Sequence, residues 1–317
     1  MTVFFQVLFR VLTSSDLWQA TLQFGALLLL PALGGVISER SGVVNIAMEG
    51  MMLTGAYAGV MVALSTNNLL LGVLGAIIAG GLMALIHAVI SINFKANQIV
   101  SGIAINIAAL GLTNYLLLVQ TSGQGVRSLA SNLRLPVITW GPLANIPFLG
   151  PVLFQQNIIF YVAVLILVGI QLLLFRTNIG LRIRAVGEHP QAADTAGVNV
   201  RLVRYLCVIS SGLLSGLAGA FLALGINGIF NSNMTAGAGY IALAAMIFGK
   251  YTPLGTAGAC LIFGLGEALS VRMQDSGVSP YLLSTIPYIL TLIALVGLVG
   301  RTIAPAADGI PYEPGAE

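Results

Sequence analysis

The stretch Ser38-Glu39-Arg40-Ser41-Gly42-Val43-Val44-Asn45-Ile46-Ala47-Met48-Glu49-Gly50-Met51-Met52 decides how the rest of the chain is read. It sets Glu39, Arg40, Asn45 and Glu49 between two apolar runs, Leu17–Ile37 and Met51–Leu64. Charged and amide groups are costly in hydrocarbon unless they face protein, water or a partner. The stretch therefore lies at a membrane surface or breaks a helix beside a cavity. Gly42 favours a break, Asn45 is placed to cap the helix that follows, and Pro31 is placed to kink the one before. Arg40 stands beside Glu39 and is expected to neutralise it.

The 317 residues are 57% hydrophobic and 7% charged, with a mean hydropathy of +0.98. A soluble domain is roughly a quarter charged, so the composition excludes one. Apolar runs of the length that crosses about 30 Å of hydrocarbon as helix recur. They are continuous rather than alternating, which argues against a β-barrel. The fold expected is an all-α integral membrane protein, a polytopic bundle of about 8–10 transmembrane helices with interrupted helices. Glycine is abundant, at 38 residues. Gly55/Gly59 and Gly212/Gly216 have the spacing of closely packed membrane helices.

The expected spans are Leu17–Ile37, Met48–Thr66, Leu69–Ser91, Asn97–Val119, Asn157–Phe175, Tyr205–Phe230, Ala238–Gly249, Pro253–Val271 and Tyr281–Gly300, with Val3–Thr13 as a further candidate. Met1–Ser15 lacks a basic start and a small-residue cleavage site, so it is not read as a cleaved signal. Ala238–Gly249 is too short to cross alone at about 1.5 Å per residue, and is expected to be a half-helix inside the protein. Asn45–Ala58 and Met234–Ile247 echo each other, each with a glycine ahead of small residues and one tyrosine. The helices before them run in opposite directions by the span count, which points to an inverted repeat.

Lysine and arginine orient the chain. Arg176, Arg182, Arg184, Arg201 and Arg204 put loop 176–204 in the cytoplasm, with Arg40, Lys95, Lys250 and Arg301 on the same side. Loop 120–156 is then extracytoplasmic. Its Pro136, Pro142, Pro147 and Pro151 suggest a fixed surface structure. Residues 1–300 form one transmembrane domain. The tail, 301–317, is cytoplasmic and by its Pro and Gly content is expected to be disordered. Within 176–204, Pro190 opens a short helix that Gly197 stops.

Enzymatic signatures are missing. Gly249-Lys250 is followed by Tyr251, and no GxxxxGK[ST] phosphate loop, HExxH or GxSxG occurs. His87 and His189 are isolated, and a lone membrane histidine is expected to bond one helix to another. Cys207 and Cys260 have no metal or redox spacing. No catalytic or metal-binding residue is assigned. Glu267, inside an apolar span, is either a solute or proton contact or a carboxyl paired with a neighbouring helix. Asn93, Asn106, Asn114 and Asn227 are polar spots that line a path or join helices. Tyr57, Tyr240 and Tyr288 could stack on a solute or simply pack.

Two motifs together resemble a family. Ser38–Met52 is similar to the first signature of permease subunits of bacterial ABC importers, in the branch that handles ribose, branched-chain amino acids and nucleosides. Its Glu-Arg-Ser-Gly-Val-Val-Asn-Ile and Glu-Gly-Met-Met are most similar to nucleoside-type members. The stretch Arg184-Ala185-Val186-Gly187-Glu188-His189-Pro190-Gln191-Ala192-Ala193-Asp194-Thr195-Ala196-Gly197-Val198 resembles the cytoplasmic coupling loop of the same family, with His189 where an Asn is expected. Pro147–Phe154 resembles the external loop of that branch. The likeness covers about Leu17 to Gly300.

The resemblance implies a multi-pass subunit of the cytoplasmic membrane that passes a small polar solute, most similarly a nucleoside, and is not itself an enzyme. It implies a second permease subunit, related but not identical, two cytoplasmic ATPases and an external substrate-binding protein. ATP and Mg would be used by the ATPases, with no cofactor bound by this chain and no nucleic acid involved. Asn45, Glu49, Tyr57, Asn106 and Tyr240 are the expected path residues. Gly187, Glu188, Pro190, Ala192, Ala193 and Gly197 are the expected coupling residues. Two other readings remain: an ion-driven transporter using Glu49 or Glu267, and a permease for a sugar or a branched-chain amino acid. A membrane-embedded enzyme would need clustered catalytic groups at one depth, which the sequence does not offer.

Overall fold

The structure is a computed structural model that describes residues 9–274, 279–283, 285–287, 289 and 302–313. Its helices are α1 (Ser15–Arg40), α2 (Met48–Thr66), α3 (Leu69–Ala88), α4 (Gln98–Gln120), α5 (Leu149–Phe154), α6 (Ile158–Arg176), α7 (Asn178–Glu188), α8 (Pro190–Thr195), α9 (Val200–Ala220), α10 (Ala238–Phe248), α11 (Pro253–Arg272) and α12 (Pro280–Leu283). A π-helical turn, Val89–Asn93, extends α3, and another, Phe221–Asn227, extends α9. Most of the expected spans Val3–Thr13 and Tyr281–Gly300 lies outside the described residues. Among the described residues, six helices are long and apolar enough to cross a membrane. This is the all-α polytopic bundle that composition requires.

Two of those helices form the axis. In their most apolar windows α1 is 83% buried and α9 72%, whereas α3, α4 and α6 are near 30%. A helix apolar all round is buried by protein or by lipid. The axial helices are covered by protein, and the outer three turn Leu82, Ile107 and Leu165 outward.

α1 and α9 run antiparallel. Near one end Arg204 Nε donates to Ser41 O (3.2 Å), and near the middle a Cβ on Gly34 would stand 2.8 Å from Ser211 Cα. Their partners are exchanged between halves. α1 packs on α11, where a Cβ on Gly264 would meet Gly25 N at 2.5 Å. α9 packs on α3, where a Cβ on Gly80 would meet Gly212 O at 2.3 Å. Gly80 and Gly264 stand at the same place in their helices, counted from Leu69 and Pro253. Backbones this close exclude any side chain, and the gain is dispersion and packing rather than hydrophobic transfer. The triplets α1–α3 and α9–α11 are thus reciprocally packed, as an inverted repeat requires.

Several local expectations are altered. α1 passes through Pro31 without ending. α2 is capped by Ala47, not Asn45; Asn45 Oδ1 instead accepts the Ala47 N–H at 3.1 Å, just outside the helix. Gly42 does carry the break, with φ +87°. Outside, β1 (Val126–Ser128) pairs antiparallel with β4 (Ile229–Asn231), and β2 (Val137–Thr139) with β3 (Gln155–Asn157). The first of these ties the outer loop to the end of α9, so the proline-rich loop is a fixed structure. The tail expected to be disordered is ordered over 302–313. Ala307 N donates to Gly187 O (2.9 Å), and Tyr312 is buried with Val186, Ala193 and Val200. Proline content predicted disorder because it removes helix, not because it prevents a strap from packing.

Candidate functional site

The break Arg40–Met48 and the break Gly228–Ala238 face each other across the bundle. Three polar residues close the gap. Glu49, in the first turn of α2, accepts from Thr235 Oγ1 (2.5 Å), Gly237 N (2.9 Å) and Gly239 N (2.7 Å). Gly237 and Gly239 sit at the start of α10, whose first N–H groups have no helical partner. The N-cap residue Gly237 offers no side chain. Glu49 therefore supplies from another helix the anion that an N-terminus favours. Gly239 must be glycine for this approach, since a Cβ there would lie 2.5 Å from Glu49 Cα.

Asn106 of α4 stitches the same place. Its Oδ1 accepts from Gly50 N (2.8 Å), and its Nδ2 donates to Ile46 O and to Tyr240 Oη, each at 2.9 Å. Asn45, fully buried, donates from Nδ2 to Ser211 Oγ (2.8 Å) and so ties the first break to the axial helix α9. His87 completes the frame. Its Nε2 lies 3.0 Å from Val44 O and its Nδ1 3.0 Å from Ser101 Oγ. The carbonyl fixes the proton on Nε2, leaving Nδ1 to accept. That is the helix-to-helix role expected of a lone membrane histidine.

The structure thus brings Asn45, Glu49, Asn106 and Tyr240 into one node and leaves Tyr57 outside it. Tyr57 lies about two turns further along α2 and packs edge-on to Phe230, ring centroids 5.4 Å apart. Tyr240 is the exposed member of the node, at 44%. Tyr288 lies outside the described residues. Ser211 and Thr235 are partners that the sequence reading missed. Ser211 directly precedes Gly212 of the GxxxG pair, and Thr235 precedes the glycines of the second break, so proximity to those motifs was the available signal.

Glu267 behaves differently. It lines a cavity of about 280 Å³ with Phe24, Leu27, Leu28, Asn227, Thr235 and Ile241 among its walls. Among the described residues its carboxyl makes no hydrogen bond or ion pair. Among the described residues no partner on a neighbouring helix pairs with it.

The cytoplasmic segment is built as the punctuation predicts. Pro190 is the first residue of α8, and Gly197 ends it with φ +83°. Ala192 is exposed and Ala193 is buried, so α8 shows one face and anchors the other. A Cβ on Gly187 would meet Arg40 O at 2.2 Å, which presses α7 directly against the end of α1. Arg40 Nε donates to Tyr251 O (2.9 Å), joining that end to the loop between α10 and α11 rather than neutralising Glu39. Glu188 accepts from Ala306 N (3.2 Å), and buried Arg204 donates to Ile310 O (2.9 Å), so the tail straps the segment down. Beneath the strap the carboxyls of Glu39 and Asp308 lie beside each other. Burial pushes Asp308 up to about 6, against the lowering pull of Glu39, of the Gly309 backbone and of the Arg204 charge.

With this geometry in place, comparison with known proteins adds the following. The family model for the permease component of branched-chain amino acid transport systems matches residues 19–295. The guanosine ABC transporter permease protein NupQ of Bacillus subtilis is 42% identical, over 92% of this chain and 95% of that protein. The nucleoside ABC transporter permease protein NupC of Lactococcus lactis is 39% identical, over 90% and 92%. The putative glucose ABC transporter permease protein TsgC13 of Haloferax volcanii is 36% identical, over 91% and 93%. No solved structure gives a significant match.

Proposed function

The chain belongs to the family of branched-chain amino acid transport system permease components, and on that premise we propose that it passes a nucleoside through the membrane for an ATP-binding-cassette importer. It is a multi-pass cell-membrane protein and a transport subunit, not an enzyme. Its work is done with two cytoplasmic ATPases, an external substrate-binding protein and a second permease, related but not identical. ATP and magnesium are used by the ATPases. The choice of solute is supported by two of the similar proteins being named for guanosine and nucleosides.

The observation that carries the mechanism is the contact of Gly187 with the carbonyl of Arg40. It makes an unbroken rigid connection from the coupling segment to the first break, and Glu49 carries it on to α10. An ATPase seated on the exposed face of α8, at Ala192, moves α7 and α8 as the nucleotide sites close. Gly187 transmits that movement to the end of α1. The two breaks, locked by Glu49, Asn106 and Asn45, shift together and reopen the pair toward the other side. In this reading Glu188 and Pro190 fix the angle of α8, Ala193 and Gly197 seat it, and Tyr240 presents the node to the path. Coupling is the difference in free energy that ATP binding imposes on the two access states.

The test is ATP-driven uptake by the reconstituted complex, with nucleosides, ribose and leucine competing. Nucleosides should compete, and a leucine-only response contradicts the reading. Uptake abolished by an uncoupler at constant ATP would favour the ion-driven alternative instead. Ala192→Glu on the exposed face should lower uptake at least tenfold with the protein still inserted and stable. Normal uptake would remove α8 as the docking point.

A further inference from the structure

An acid in an apolar helix with no partner among the described residues needs a reason. Glu267 lies on α11, and its cavity is walled by Phe24, Leu27 and Leu28 of α1 and by Ile241 of α10. Thr235 already gives its hydroxyl to Glu49. Asn227, at the end of the π-helical turn of α9, brings the remaining amide. A half-buried carboxyl in such surroundings keeps its acceptor oxygens available to a donor that enters the cavity. The carboxyl of Glu49 is engaged by other residues of the chain, and that of Glu39 lies beside Asp308 at the cytoplasmic end, away from this cavity.

We infer that the Glu267 cavity is a solute subsite of the permease, shaped for an uncharged solute with a flat apolar body and adjacent hydrogen-bond donors. The inference rests on the transport function proposed above and deepens it. Its volume, about 280 Å³, lies just below the usual range of ligand cavities, which starts at about 300 Å³. A carboxylate presents two acceptor oxygens side by side. It suits two neighbouring donors, such as a purine N–H pair or the vicinal hydroxyls of a ribose. The aliphatic and aromatic walls suit the face of a base.

The cavity also selects against other solutes. Among the described residues that line it, Glu267 is the one charged side chain. A leucine could place its ammonium on Glu267, but its own carboxylate would then lie against leucine side chains with no cation. A nucleotide would bring a phosphate against a like charge. A nucleoside carries neither penalty.

The test uses the whole importer in proteoliposomes, with maximal uptake measured so that affinity for the external binding protein does not enter. Glu267→Gln should lower maximal guanosine uptake at least tenfold, with melting temperature and ATPase assembly unchanged. If the carboxyl faces the base, 2′-deoxyguanosine suffers the same loss; if it faces the ribose hydroxyls, 2′-deoxyguanosine is already slow and loses little more. A second variant reads occupancy without touching the carboxyl. Val271→Cys places a thiol at the rim of the cavity, and the native Cys207 and Cys260 are buried. Guanosine should slow its labelling by a maleimide, and leucine or guanosine monophosphate should not. Guanosine uptake indifferent to Glu267→Gln, or labelling that leucine slows as well as guanosine does, overturns the inference. A wild-type complex that takes up leucine but no nucleoside overturns the transport reading itself, a result distinct from either.

Discussion

Glu49 and Glu267 approach the second break from opposite sides, and Thr235 belongs to the surroundings of both. Glu49 has three donors on its two oxygens and a helix start to neutralise. Glu267 has a cavity and no donor among the described residues. Both are carboxyls in apolar helices, so residue type does not separate them. The difference is what the chain has already spent on each. A saturated carboxyl holds structure and resists a solute that would compete for its bonds. One without a partner among the described residues is available to the donors of a solute.

The comparison can be broken most easily at Glu49. Glu49→Ala leaves one hydroxyl and two backbone N–H groups buried without acceptors, and should destabilise the protein by about 3–5 kcal/mol. Chemical or thermal unfolding in detergent reads this, and a melting curve like wild type would show that the node is dispensable. Gly239→Ala comes next. Its Cβ would meet the backbone of Glu49 at 2.5 Å, and the strain should cost about 1–3 kcal/mol. A neutral outcome there would mean that α10 shifts freely against α2. Glu267→Gln should change stability by no more than about 0.5 kcal/mol, since among the described residues it makes no bond that would be lost.

Much of the frame could be read in the sequence. Continuous apolar runs, the polar interruption at Ser38–Met52 and the short Ala238–Gly249 segment gave the bundle and its two breaks. Pro190 and Gly197 bounded α8, because the fixed φ of proline and the positive φ of glycine act locally. What could not be read is pairing. Nothing near Glu49 in sequence announces Thr235 or Gly239, and nothing near Glu267 announces that its neighbours are apolar. Asn45, Glu49 and Asn106 were expected together on a path. The structure ties each to one of the breaks: Asn45 to Ser211, Glu49 to Thr235, Gly237 and Gly239, and Asn106 to Gly50, Ile46 and Tyr240. The tail failed for a related reason. Composition describes what a segment cannot form by itself, and residues 302–313 are ordered by Arg204 and Gly187, which lie elsewhere in the chain.

A third carboxyl sharpens the contrast with the smallest effect. Asp308 is neither saturated nor alone but stands beside another acid, Glu39, and within reach of the Arg204 charge. Its value rises from 3.8 to about 6 on burial. For an acid raised in this way the folded form favours the proton. The cost of burial is absent below about pH 4, grows from there to about 6, and is complete above it. Attachment of the tail should therefore loosen as pH rises through that window. Hydrogen exchange at Ala307, whose N–H is bonded to Gly187, should report the loosening, and Asp308→Asn should flatten its pH dependence. An exchange rate with the same pH dependence in wild type and variant would remove Asp308 from the strap.

The most direct test sets the two glutamates side by side in one reconstituted complex. Melting temperature and maximal guanosine uptake are measured for Glu49→Gln and for Glu267→Gln. Glu49→Gln should melt several degrees lower and lose uptake with it, since the lock that it weakens also carries the coupling movement to α10. Glu267→Gln should melt as wild type does and lose uptake at least tenfold. Normal melting with abolished uptake for Glu49→Gln, together with normal uptake for Glu267→Gln, would reverse the two roles and contradict the account.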